Sequence, residues 1–191
     1  MDSVLIVSNT NTTMGIISAM LQSQAFSRIV TTQDGSEARR YLLDGEFDLV
    51  IIDTPLLNEF GDDVALHAAE RTTSGIILVV EHERLEDIAP RVEDSGVFVL
   101  PKPIAPDFFY QAVKLLIASK LRIRQITDEN RRLQEQLVET RIVARAKCLL
   151  IERLKLTEQQ AHRHIEKLAM DTRRSRLEVA EGVVRRYGSN G

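Results

Sequence analysis

Tryptophan is absent from this sequence, and cysteine occurs once, at Cys148. A lone thiol can close no disulfide within the chain and cannot build a thiolate cage for a metal. Both a disulfide-stapled secreted scaffold and a Cys-rich zinc module are therefore excluded. Apolar runs of the ~20 residues that cross a bilayer are missing, and no basic-then-apolar leader opens the chain, so a cytoplasmic protein with no membrane attachment is expected. A glycine-rich phosphate loop, a nucleophile paired with a base and a His/Asp/Glu cluster at metal-ligand spacing are lacking too. The sequence thus predicts neither an enzyme nor a bound cofactor. Cys148 itself reads as a small buried hydrophobe rather than a redox thiol.

What is present describes a folded chain. With 43% apolar and 28% charged residues over 191 positions, there is material for one domain of ordinary size and a smaller one. The net charge of −3 conceals an asymmetry: residues 1–113 carry 7 Lys/Arg against 18 Asp/Glu, a net −11, whereas residues 114–191 carry 18 against 10, a net +8. Helix surfaces rich in Arg and Lys produce part of such a split, and a half that meets a polyanion produces the rest.

The acidic half alternates short apolar runs with helical patterns. Val4-Leu5-Ile6-Val7, Ile29-Val30, Leu49-Val50-Ile51-Ile52, Ile76 to Val80 and Val97-Phe98-Val99-Leu100 are the runs. Amphipathic stretches around Met14, Ile17 and Leu21, and around Ala38, Tyr41 and Leu42, lie between them. Val/Ile-rich runs spaced by helices are strands buried on both faces, so an α/β doubly wound, five-stranded parallel sheet is expected, with its functional loops at the strands' carboxyl ends. Asp53 closes the third run, and Lys102-Pro103 follows the fifth.

These positions resemble the receiver domain of two-component response regulators, over residues 1–118. The resemblance implies a flavodoxin-like fold, Asp53 as phosphoacceptor, Lys102 as the phosphoryl contact and a sensor kinase as partner. It also implies an acidic pair for Mg²⁺ after the first strand and a Ser or Thr after the fourth. Ser8 and Asn9 stand in the place of the pair, and Val80 in the place of the hydroxyl. Phosphoryl transfer to a carboxylate needs a cation held by hard anionic oxygens, and valine donates no hydrogen bond. A pseudo-receiver that is not phosphorylated in the usual way, with no Mg²⁺ site, is expected; Asp53 would then pair with Lys102 or cap the following loop.

From Pro106 to Lys155 there is no internal Gly or Pro, so one helix is predicted to join the halves. Seven-residue spacing runs through Leu116, Ile123, Asn130, Leu137 and Ala144, with a companion row at Ser119, Ile126, Leu133 and Thr140. This predicts a coiled-coil linker over 114–145 and a homodimer seamed by Leu116, Ile123, Ile126, Asn130, Leu133 and Leu137. Arg122, Arg124, Arg131 and Arg132 flank the stripe, and Asn130 at an a position would pair with its twin and fix a parallel register.

Three helical segments fill residues 138–191, forming a small all-α domain. The second is announced by Thr157-Glu158-Gln159-Gln160, whose Thr and Gln can cap reciprocally, and the third begins near Ser175. Ala146, Ala161, Ala169 and Ala180 read as close-packing positions. Arg141 and Ile142, then Ala146-Lys147, Leu150-Ile151, Leu156-Thr157-Glu158, Ala161-His162, Ala169-Met170, Arg173-Arg174 and Leu177 to Ala180 appear in order. This series resembles the ANTAR domain of transcription antitermination regulators. Cys148, Ile151 and His162 depart from it, standing where the family usually has glycine, methionine and an aromatic residue. The resemblance implies binding of paired stem-loops in nascent leader RNA. RNA loops are met by cations at phosphates and by flat groups on unpaired bases, so Arg141, Arg145, Lys147, His162, Arg173, Arg174 and Arg176 are the candidate RNA contacts. His162 and His164 are two apart on a helix and do not share a site, which argues against a metal.

Two other readings remain. A DNA-binding response regulator would place base-reading side chains at the start of a recognition helix, where the third segment instead has Glu178 and Glu181. A protein-interaction module sequestered by a regulatory partner is compatible with a pseudo-receiver.

Overall fold

The computed structural model describes residues 3–22 and 26–188; residues 1–2 and 189–191, the outer edges of the first and last expected domains, lie outside the described residues. Two compact units divide the chain, Met1–Arg124 and Gln125–Gly191. In chain order the elements are β1 (Ser3–Ser8), α1 (Asn11–Leu21), β2 (Arg28–Thr32), α2 (Gly35–Asp44), β3 (Leu49–Asp53), α3 (Asp62–Arg71), β4 (Gly75–Glu81), α4 (Leu85–Val92), β5 (Val97–Lys102), α5 (Pro106–Leu154), α6 (Glu158–Thr172) and α7 (Arg176–Tyr187). Helix α5 contributes residues to both units. No helix among the described residues is long and apolar enough to cross a membrane.

The first unit is a five-stranded parallel sheet in the order β2-β1-β3-β4-β5, the doubly wound fold the sequence predicts. Side chains alternate across each strand. Leu5, Val7, Val50, Ile52, Leu78 and Val80 pack with α2, α3 and α4, while Val4, Ile6, Leu49, Ile51, Ile77 and Val79 pack with α1 and α5. Registers bring Ser8 opposite Asp53, Asp53 opposite Val79 and Glu81 opposite Lys102, so chemistry-bearing residues gather at one edge of the sheet. Asp34 caps α2, accepting from the backbone N–H groups of Ser36 at 2.6 Å and Glu37 at 3.3 Å. Those hydrogen bonds, that of Ser36 foremost, hold the Asp34 carboxyl below its usual pKa.

Close approach explains one glycine of this unit. A Cβ on Gly75 would lie 2.9 Å from the Leu116 Cβ, so α5 can pack onto the start of β4 only because that side chain is missing. Leu116, read from its spacing as the first seam residue, is accordingly half-buried against the receiver core. Lys120 fastens the helix one turn further on, with its ammonium 2.7 Å from Asp48 Oδ1 and donating to the Phe47 carbonyl at 3.0 Å.

The second unit has a small core of its own. Ala146 and Leu150 from α5, Ala161, Ile165 and Ala169 from α6, and Val179, Ala180 and Val183 from α7 are buried together. Alanines at the contacts let the helix axes approach closely. Two capping boxes start the short helices. Thr157 and Gln160 exchange bonds at α6 as predicted, and Ser175 and Glu178 do the same at α7, where the sequence reading had marked only a start. Cys148 corrects an expectation: it is exposed, not buried. Ala146 and Leu150, four apart, define the buried face of α5 here, and a residue two positions from either lies on the other side of the helix.

Candidate functional site

At the carboxyl edge of the sheet, Asp53 is 2% exposed, and the two oxygens of its carboxylate meet different partners. Ser8 Oγ donates to Oδ2 at 2.7 Å. Oδ1 makes no hydrogen bond, but Lys102 Nζ lies 2.8 Å from it as an ion pair. The same ammonium donates to the Thr54 carbonyl and lies 3.3 Å from Glu81 Oε1. One lysine is thus shared by two carboxylates and a backbone oxygen. A cleft of about 650 Å³ opens over this group, walled by Ile16, Met20 and Ile104 as well as by Glu81, His82 and Glu83.

The predicted site residues Asp53 and Lys102 are therefore in contact. Val80 is fully buried on the opposite face of β4, in the core with α2–α4. Glu81, one residue on, is the group from β4 that reaches Lys102, and the sequence reading did not single it out. Its signal was available: an ionisable residue directly after an apolar strand, at the edge where such folds place their chemistry. Asn9 is not part of the hydrogen-bonded group around Asp53, and Ser8 has become its hydrogen-bond donor.

In the second unit the cations fall into two sets. Lys147 Nζ is 2.6 Å from Glu158 Oε1, tying α5 to the first turn of α6. The hydrogen bond from Lys147 is the main reason the Glu158 carboxyl sits below its usual pKa. Arg176 reaches Glu139 at 3.9 Å, and His162 Nε2 lies 3.2 Å from Glu166 Oε1. By contrast, Arg141, Arg145 and Arg173 are exposed and form no salt bridge among the described residues. Arg174 is exposed as well and acts on Glu178 through space.

Arg173 has a further peculiarity. It ends α6 in the left-handed conformation, φ 54° and ψ 37°, with its N–H directed to the carbonyls of Ala169 and Met170. Glycine is the usual occupant of such a position, because a Cβ there costs about 1 kcal/mol or more. The chain keeps a long cationic side chain where local geometry favours none. No pattern in the sequence marks this.

Along α5, the apolar stripe after Leu116 is uncovered. Ile123 is 57% exposed, Ile126 60%, Leu133 51% and Leu137 57%. Asn130 is exposed on the same helix.

Comparison with known proteins agrees with the division into units. The profile of the response regulator receiver domain matches residues 4–114, and that of the ANTAR domain matches residues 131–184. The transcriptional regulatory protein PdtaR of Mycobacterium tuberculosis, in strains H37Rv and CDC 1551, is 28% identical over 174 residues, covering 91% of this chain and 84% of that protein. Among solved structures, a response regulator receiver domain protein from Clostridium thermocellum superposes with a TM-score of 0.58 at 18% identity, over 64% of this chain and 99% of that one. The receiver domain of a sensor histidine kinase from Pseudomonas aeruginosa PAO1, with magnesium in its active-site cleft, gives 0.52 at 20% identity over 61% and 97%. The fold is that of a receiver, and the chain belongs to the response regulator receiver family. With its ANTAR output it is an RNA-binding antitermination regulator controlled by a receiver domain, and not an enzyme.

Proposed function

We propose that this regulator works as a homodimer whose two ANTAR domains hold a pair of hairpins in a nascent leader transcript, excluding the terminator, and that its receiver is a pseudo-receiver. The observation that carries the reading is the contrast between Asp53, buried and engaged at both carboxylate oxygens by Ser8 and Lys102, and the exposed arginines of the output. A phosphoryl donor needs a free carboxylate oxygen and a cation beside it. Here Lys102 compensates the charge internally, and the place of the acidic pair is filled by a hydroxyl and an amide. A bound partner protein, which sequesters or presents the output, then replaces phosphotransfer from a sensor kinase as the input. Arg141, Arg145, Arg173 and Arg174 meet RNA phosphates, Arg176 and His162 add to the contacts, and Lys147 positions α6 through Glu158. The stripe at Ile123, Ile126, Leu133 and Leu137, with Asn130 paired across it, joins the two copies.

Incubation with acetyl phosphate and Mg²⁺, read by intact-protein mass, tests the input. No added phosphoryl group on the wild type is expected. Labelling of the wild type that disappears in Asp53→Asn would overturn the pseudo-receiver.

A further inference from the structure

Helices α6 and α7 are joined by a three-residue turn and form a hairpin, so they present two facing stripes at four-residue spacing. His164, Leu168 and Thr172 make one, and Glu178, Gly182 and Arg186 the other. Between them is a groove of about 290 Å³ that Arg174 and Tyr187 also line. Two features of it are unexplained by the fold.

Gly182 is the first. It sits in the middle of α7, where glycine weakens a helix relative to alanine. A Cβ built on it would meet nothing within 4 Å. Neither a positive φ nor a close neighbour in the protein requires glycine there. What the missing side chain leaves is open space at the centre of the groove. Glycine in a regular element is otherwise used where a ligand must approach the backbone closely.

The second feature is the chemistry of the walls. Arg174 stands at the turn end of the groove. His164, Arg186 and the Tyr187 ring stand at the other, with the Arg186 guanidinium 5.6 Å from the ring centroid. The one carboxylate, Glu178, is already spent on the capping box, accepting from the Ser175 N–H at 2.8 Å, which together with that residue's hydroxyl holds its pKa low. Flat groups and exposed cations around an open groove suit a planar, electron-rich ring attached to a phosphate.

We infer that the α6–α7 groove, with Gly182 as its floor, receives one unpaired base of the RNA loop, stacked beside Tyr187 and His164 with its phosphate between Arg174 and Arg186. The inference rests on RNA binding by the output domain and deepens it, assigning a base-reading site distinct from Arg141 and Arg145 on α5. Stacking of this kind tolerates any base.

Full-length wild type, Gly182→Ala and Gly182→Leu are titrated with a fluorescent hairpin RNA carrying a randomised loop, and with the same stem fully paired. Thermal unfolding and light scattering are run on the same samples. Filling the groove with Leu should weaken binding to the looped RNA by about tenfold, the weight of one stacked base. Its salt slope should become shallower by about one, because the phosphate held between Arg174 and Arg186 leaves with the base. Gly182→Ala should raise Tm and weaken binding less, which separates a blocked groove from a damaged fold; should the Leu variant unfold, the Ala variant decides alone. Wild-type affinity in both variants would overturn the groove while leaving RNA binding intact. A wild type with no preference for the looped RNA would remove the loop-binding reading and the groove with it. A changed molecular mass with unchanged RNA affinity would make the groove a contact between copies and overturn the base site.

Discussion

The receiver unit ties cations to buried or half-buried carboxylates, whereas the output unit leaves several of its own exposed and unpaired among the described residues. In the first, Lys102 is held by Asp53 and Glu81, Arg39 makes two hydrogen bonds to Glu59 at 2.6 and 2.7 Å, and Arg91 reaches the buried Asp62 at 2.9 Å. Each of these pairs joins two elements or an element and a loop. In the second unit, Arg141, Arg145 and Arg173 are held by no carboxylate among the described residues. A cation committed to a buried carboxylate is structural, since removing it strands the partner's charge. A cation left in water costs little to keep and is available to a polyanion. Net charge of opposite sign in the two halves is thus a division of labour as well as a composition.

That comparison can be broken at four places, in descending size of effect. Lys102→Ala should destabilise the receiver by about 3–5 kcal/mol, because Asp53 stays buried with no compensating charge. Adding Asp53→Asn should recover most of the loss, and urea unfolding of the three variants measures both. Leu133→Asp should convert a dimer to a monomer by light scattering, with thermal unfolding of the receiver unchanged; a dimer that survives would return the α5 stripe to a solvated helix face. Arg173→Gly should raise stability by about 0.5–1 kcal/mol by relieving the left-handed residue. The same change should weaken RNA binding and lower the salt slope by about one, so the two readouts move in opposite directions. Smallest is the pH response of Lys147–Glu158. The Glu158 pKa is lowered on folding, so its contribution is present at neutral pH and disappears as pH falls through that lowered value. Glu158→Gln should flatten acid-side unfolding there.

Much of the fold was legible because it rests on local patterns. Val/Ile-rich runs such as Leu49 to Ile52, spaced by helical segments, read as strands buried on both faces, and Thr157 with Gln160 spells a helix start through groups three residues apart. Asp53 and Lys102 were legible through their places at strand ends. What was hidden depended on contacts distant in sequence or on phase. Leu116 fits the heptad spacing but packs on the receiver, because Gly75, 41 positions earlier, lets the helix in. Cys148 was misjudged by the phase of α5 alone. Glu81 is hidden behind Val80, the position that the receiver pattern marks, and a strand's alternation sends those two side chains to opposite faces. The conformation of Arg173 and the open space beside Gly182 carry no sequence signal, since each is a residue that its local structure would not select.

The account turns on the exposed arginines being the RNA contacts. Its most direct test is a salt titration of hairpin RNA binding by full-length wild type and by the variant with Arg141, Arg145, Arg173 and Arg174 all replaced by alanine. The account predicts an affinity loss of more than about a hundredfold and a slope of log K against log salt shallower by about three, the mark of four lost phosphate contacts, with folding and dimer mass unchanged. Equal affinity and equal slope in the two proteins would contradict it.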